Sequence, residues 1–385
     1  MSTRSSRGRG RAGLYIGRWF GIEFHLHFSW FFIAAIITYM LSTAIFPAVL
    51  PGLSHAAYYA LGGSAAALFF LSILLHELGH SLVSQRCGIP VPRITLLFIG
   101  GLAEIAREPD DARSELKIAL GGPAVTVVLV ALFAGISRIF SSLGWEGPAL
   151  VCVWLAQTNL ALVIFNMFPG YPLDGGRVLR ALLWARSGKL RRSTYITTRI
   201  GIGFSWLLVA FGVFMLITPP HSWQAFVFLI IGMFLKGAAE SGYANAIQRE
   251  TLAGVRVRDF MTAHPATLPD TLPLNLAVDD HFLAGHHKAY PVCAPDGTFR
   301  GLLRLDVLKG VPRERWPYTT TGDLVAGIGA EDLCIRAGES AARAMRLLLT
   351  PGTGRLAVVE EGRVVGIVTR RDISRFIDIH TELEE

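Results

Sequence analysis

The sequence predicts a polytopic α-helical membrane protein, with six transmembrane helices and a short membrane-edge β hairpin, followed by a C-terminal α/β domain. Three observations carry this. The 385 residues are 52% hydrophobic and only 17% charged, whereas soluble domains carry about a quarter charged residues. The missing charge is missing in blocks. No Asp, Glu, Lys or Arg occurs between Phe24 and His76, in Ile118–Ser137, in Gly147–Leu173 or in Ile200–Leu235. A bilayer core takes about 20 apolar residues as a helix, and each run meets that need. After about Ala238 the composition turns ordinary. The expected domains are a basic cytosolic tail over 1–20, a membrane domain over 21–245 and a cytosolic domain over 255–380.

Taken in order, the first span covers Phe28–Val49 and ends at the Pro47/Pro51-Gly52 punctuation. The second covers Ala57–Gln85. Between Ile89 and Ile105, prolines, β-branched residues and a Gly pair suit a hairpin more than a span. A third span at Ser114–Phe140 is interrupted by Gly121-Gly122-Pro123. The fourth is Pro148–Phe168, the fifth Thr198–Ile217 and the sixth Trp223–Glu240.

The net charge is +7 and the pI about 9.4. The basic residues lie between the apolar runs, where the positive-inside rule puts them, so the excess reports topology and not nucleic-acid binding. With a cytosolic N-terminus, the inner loops hold Arg86, Arg93, Arg107 and Arg113, then Arg177, Arg180, Arg186, Lys189, Arg191, Arg192 and Arg199. Arg138 alone falls outside. Six spans return the chain to the cytosol, which predicts a multi-pass plasma-membrane protein with both termini cytosolic. The N-terminal segment has five arginines by Arg18 and no apolar stretch before a small-residue cleavage site, and so reads as a tail. Cys87, Cys152, Cys293 and Cys334 form no CxxC pair, which leaves a disulfide framework or zinc knuckle unsupported.

The chemistry sits in the second span, at His76-Glu77-Leu78-Gly79-His80. Histidines four apart on a helix lie about 40° apart around its axis. Both imidazoles can reach one Zn²⁺, and the intervening Glu can approach a water there. Ionisable residues inside hydrocarbon are costly and mostly functional. Two histidines leave a catalytic zinc site one ligand short. Asp174 is the best candidate, in the segment Asn166-Met167-Phe168-Pro169-Gly170-Tyr171-Pro172-Leu173-Asp174-Gly175-Gly176-Arg177. This segment closes the fourth span at the same face as the end of the second. Its prolines and Gly pair break the helix and let a carboxylate turn back.

HELGH in an apolar helix followed by N-x-F-P-x-x-P-L-D-G-G resembles the site-2 protease family of intramembrane metalloproteases. The likeness covers about Gly13 to Glu240 and extends to Gly100-Gly101-Leu102-Ala103, similar to the family's membrane-edge hairpin, and to Gly122-Pro123 in its third core helix. It implies one Zn²⁺ held by His76, His80 and Asp174, with Glu77 as general base and Asn166 at the substrate or oxyanion. It also implies a membrane-spanning protein substrate, such as an anti-sigma factor or signal-peptide remnant. Thr126 stands where many members carry Asn after Gly-Pro, a departure that touches a supporting contact. The hairpin around Ile94–Leu102 offers an edge for an unwound substrate strand.

The C-terminal part repeats itself. Ala289-Tyr290-Pro291-Val292, followed by Gly301–Val307, echoes Leu356-Ala357-Val358-Val359, followed by Gly366–Ile373. Each copy reads as strand, turn, strand and helix behind an apolar helix. With Val257-Arg258-Asp259-Phe260-Met261-Thr262, it resembles a pair of CBS domains, the adenosine-ligand sensing module. The likeness implies an adenine nucleotide at Thr369 and Asp372 and a homodimer through the pair. The first copy keeps Asp306 but has Leu303 three residues before it. His281, His286 and His287 read as a solvated helix end, and His25, His27, His55 and His221 as interfacial or loop residues. Two other functions compete: a CBS-gated transporter or channel, and a catalytically inactive family member that binds membrane proteins.

Overall fold

The computed structural model describes residues 13–97, 100–104, 107, 109–218, 224–252, 254–285, 287–326, 333–350 and 353–384. Phe98, Ile99 and Ile105 of the expected hairpin, Trp223 at the expected start of the sixth span, His221 and His286 lie outside them. The chain divides into two compact units, Met1–Tyr243 and Ala244–Glu385.

The first unit opens with a hairpin of β1 (Gly13–Trp19) and β2 (Ile22–His27). Its turn places Phe20 and Gly21 at φ 54° and 79°, the paired positive values of a two-residue hairpin turn. Gly13–Trp19 is therefore a strand and not part of a tail. Ile22 and Phe24 alternate inward, fully buried, and pack with Val91 and Ile94. That burial draws β2 alongside β3 (Arg93–Leu97) in parallel, and β3 pairs antiparallel with β4 (Gly100–Glu104). The expected two-stranded hairpin is thus part of a four-stranded sheet of order β1-β2-β3-β4, with β4 at an edge.

Among the described residues, six helical segments are long and apolar enough to cross a membrane. The first joins α1 (Phe28–Met40) through a wide π turn at Leu41–Ile45 to α2 (Phe46–Val49). Pro47 has no amide hydrogen and its ring crowds the carbonyl four residues back, which a widened turn accommodates. The second is α3 (His55–Arg86), capped by the Ser54 hydroxyl accepting from the Ala57 amide.

The third, α4 (Ala112–Ser142), runs unbroken through Gly121-Gly122-Pro123, which corrects the expected interruption. The glycines serve packing. A Cβ on Gly79 would lie 2.5 Å from the Gly121 carbonyl oxygen, so α3 and α4 touch backbone to backbone. The fourth span is α5 (Glu146–Asn166). A loop leads to α6 (Asp174–Ser187), then α7 (Leu190–Ile217) and α8 (Gln224–Thr251), whose Gln224–Gln248 part is the sixth span. Gly175 and Gly176 lie inside α6 rather than breaking a helix. Cβ atoms on them would meet the Met167 carbonyl at 2.2 Å and the Gly170 backbone at 2.3 Å, so the helix start rests on the loop behind it.

The second unit holds the expected repeat. One copy has β6 (Leu268–Pro269), a helix formed by α9 (Leu274–Leu276) and a π turn, then β7 (Ala289–Cys293), β8 (Phe299–Arg304) and α10 (Leu305–Leu308). After α11 (Thr321–Val325), the other has β9 (Cys334–Ile335), α12 (Ala341–Leu349), β10 (Arg355–Glu360), β11 (Arg363–Thr369) and α13 (Arg370–Glu384). In each, a short strand pairs parallel with the first strand of an antiparallel hairpin. Leading strand β5 (Thr262–Ala263) joins the other edge of β11. Val257, Leu348, Leu356, Val358 and Val368 form the second copy's core, and Leu268, Tyr290, Val292 and Leu303 that of the first.

Candidate metal centre

His76 and His80 lie one turn apart on the buried face of α3, 4% and 5% exposed. Asp174, the first residue of α6, brings its carboxylate to them with a side chain only 13% exposed. Nε2 of His76, Nε2 of His80 and Oδ2 of Asp174 are each 3.2 Å from the other two. An equilateral face of that edge belongs to a tetrahedron whose centre lies about 2.0 Å from each corner, the distance zinc keeps to imidazole nitrogen and carboxylate oxygen. The fourth corner is left for a water or a substrate oxygen. Among the described residues, no other three His, Cys, Asp or Glu side chains form such a group.

The partners of the outer ring nitrogens assign the tautomers. His80 Nδ1 lies 2.6 Å from the Ile118 carbonyl oxygen, which only accepts, and 3.3 Å from the Gly122 amide; the shorter contact favours a proton on Nδ1 and a lone pair on Nε2. The Thr126 hydroxyl donates to the Gly122 carbonyl at 3.2 Å and so accepts from His76 Nδ1 at 2.8 Å. His76 Nε2 is left with a lone pair too. In these tautomers three acceptor atoms, one of them anionic, face one another. A bound metal cation suits such a set of acceptors. The room for one is provided by Gly122, where a Cβ would fall 2.3 Å from His80 Nε2 and 2.7 Å from His76 Nε2.

Glu77, half-buried on α3, lies against the edge strand. A Cβ on Gly101 of β4 would stand 2.2 Å from its Cγ and 3.3 Å from its Oε1. Asn166 is the last residue of α5, eight positions before Asp174 along the connecting loop.

In the second unit, Thr369 and Asp372 come together, but with each other. The Thr369 amide and hydroxyl both donate to Asp372 Oδ2 at 2.8 Å, and the Asp372 amide donates to Thr369 Oγ1 at 3.3 Å. This is a reciprocal cap on α13. In the other copy, Asp306 accepts from Arg304, and a similar cap links Thr320 and Asp323 at α11.

The structure brings together the three residues that the sequence singled out as metal-ligand candidates, His76, His80 and Asp174. The supports from α4 were missed, and Thr126 was read as a departure, whereas its hydroxyl makes the contact to His76. The legible signal was the spacing 118, 122, 126, a single stripe on a helix facing the two histidines.

Comparison with known proteins identifies the family. The description Peptidase family M50 matches residues 64–146 and 142–209, and the CBS domain matches 325–379. Rip3 of Mycobacterium tuberculosis (strain H37Rv) is 33% identical over 377 residues, 96% of this chain and 94% of that one. The zinc metalloprotease MJ0392 of Methanocaldococcus jannaschii is 29% identical over 368 residues, 94% of this chain and 95% of that one. A solved site-2 protease from Methanocaldococcus jannaschii aligns at 25% identity and TM-score 0.38, covering 60% of this chain and 94% of that chain. On the identity and reach of the Rip3 match, together with the profile over its apolar helices, the chain belongs to peptidase family M50, the site-2 proteases, and carries a CBS domain.

Proposed function

We propose that this chain is an intramembrane zinc endopeptidase in which His76, His80 and Asp174 hold the metal and Glu77 is the general base. The observation that carries this is the face of three buried donor atoms, each 3.2 Å from the others. Zinc bound there would supply Lewis acidity to a water and to the scissile carbonyl. Glu77 takes the proton from the attacking water and passes it to the leaving amine. Thr126 and the Ile118 carbonyl keep the imidazoles in the tautomer that presents Nε2. Asn166 donates its side-chain amide to the developing oxyanion.

The substrate is a membrane-spanning protein, as family membership requires. A helix hides its amides, so the scissile segment unwinds and adds to the outer edge of β4 as a strand. The closeness of Gly101 to Glu77 supports this, since it brings that edge to the base. The basic loops support an orientation with both termini and the CBS unit in the cytosol. That unit is proposed to modulate cleavage, with an adenine nucleotide as its ligand near Thr369 and Asp372 and a homodimer as its assembly. A transporter leaves the three facing donors without a purpose, and an inactive relative has no need of Glu77.

Two measurements test the assignment. Purified protein should hold one zinc per chain, lost in His80→Ala. Cleavage of a single-span test substrate should vanish in Glu77→Gln while zinc stays bound. Zinc-free protein, or a Glu77→Gln variant that still cuts, would refute it.

A further inference from the structure

Helix α4 supplies no ligand, yet its carbonyl at Ile118, the space at Gly122 and the hydroxyl of Thr126 all serve the centre. One turn earlier on the same stripe stands Glu115. It is 1% exposed, and its partner Arg180 is 5% exposed. Arg180 Nε donates to Glu115 Oε1 at 2.7 Å, and Nη2 donates to the same oxygen. Arg180 lies on α6, six residues after Asp174. Its guanidinium carbon also sits 5.5 Å from the centroid of the Tyr171 ring, three residues before Asp174. One side chain therefore grips the ligand segment on both sides of the ligand and ties it to α4.

A buried ion pair is a poor source of stability. Desolvating two charges offsets most of their attraction, and apolar pairs of similar volume often do as well. A guanidinium against a carboxylate does supply direction, because its planar donors fix where the partner lies. We propose that Glu115 and Arg180 are positioning residues for the third metal ligand, holding α6 on α4 so that Asp174 Oδ2 meets both imidazoles. The three ligands are then aligned by one helix, through Thr126, Ile118 and Glu115. This inference rests on the zinc assignment above.

The test uses full-length protein in detergent, with zinc affinity read by chelator competition and thermal unfolding read on metal-free samples. Arg180→Met or Glu115→Leu alone sets a buried charge against an apolar side chain and lowers the unfolding temperature. The double variant Glu115→Leu/Arg180→Met replaces both charges by apolar side chains and should unfold near wild type, yet bind zinc about 10- to 100-fold more weakly. Arg180→Lys keeps the charge but loses the fork, and should weaken zinc about tenfold. Wild-type zinc affinity in the double variant and in Arg180→Lys would make the pair purely structural and overturn the proposal. If the double variant does not fold, Arg180→Lys decides alone. Wild-type protein that takes up no zinc refutes the metal assignment first, and this inference with it.

Discussion

Gly101 on the edge strand sits so close to Glu77 on α3 that a methyl group added to it would lie 2.2 Å from the glutamate Cγ. The backbone of the strand therefore packs directly on the Glu77 side chain. Gly101→Ala forces one of the two to move. Misplacing a reacting group by about 1 Å can cost on the order of 10²-fold, so the cleavage rate should fall by about that much. Zinc content should stay at one per chain. Rate and metal content measured on the same preparation check this, and loss of zinc would show that the strand supports the metal instead.

Gly122→Ala is expected to act on the metal. Its Cβ would stand 2.3 and 2.7 Å from the two Nε2 atoms, in the space a cation needs. Zinc should be lost while the helix itself forms at least as readily, since Ala favours helix over Gly. Gly135→Ala on the same helix, where a Cβ meets nothing within 4 Å, should leave zinc and cleavage unchanged. Metal analysis of the pair separates a steric effect at the centre from a general effect on α4.

Thr126→Val removes the acceptor for His76 Nδ1 and frees the ring to present the wrong nitrogen. Loss of such an outer partner typically weakens metal binding about 10- to 100-fold. Thr126→Ser keeps the hydroxyl and should bind zinc within about threefold of wild type. Chelator competition reads both. Equal affinities for the Val and Ser variants would mean the hydroxyl does not set the tautomer.

In the second unit, Thr369→Ala removes the acceptor for the Asp372 amide and one of the two donors to its carboxylate. Loss of an N-terminal cap costs about 1 kcal/mol. Amides in the first turn of α13 should then exchange about fivefold faster, measured by hydrogen exchange on the full chain. Unchanged exchange would show that Thr369 is not the cap of that helix.

The spans and the cluster of His76, His80 and Asp174 were legible for the same reason. A run of apolar residues with two histidines and a glutamate inside it has few physical explanations, and Asp174 completes what the histidines lack. The hairpin of Gly13–His27 was not legible in the same way. Arg18 and the glycines masked its alternation, although Ile22, Phe24 and the Phe20-Gly21 turn carry the signal. Gly121-Gly122-Pro123 looked like a helix breaker because local propensity says so. Tertiary contact with Gly79 reverses that meaning, which no local rule conveys. The Glu115–Arg180 pair joins residues 65 positions apart and could be found only once α4 and α6 were side by side.

Among the described residues, nothing pairs with the outer margin of β4. Main-chain donors and acceptors left bare in acyl chains cost several kcal/mol apiece. Lipid tails are therefore a poor neighbour for that flank, which water or an added strand would satisfy. On the function proposed above, the route by which a target arrives and the reservoir that feeds hydrolysis would then be one and the same opening.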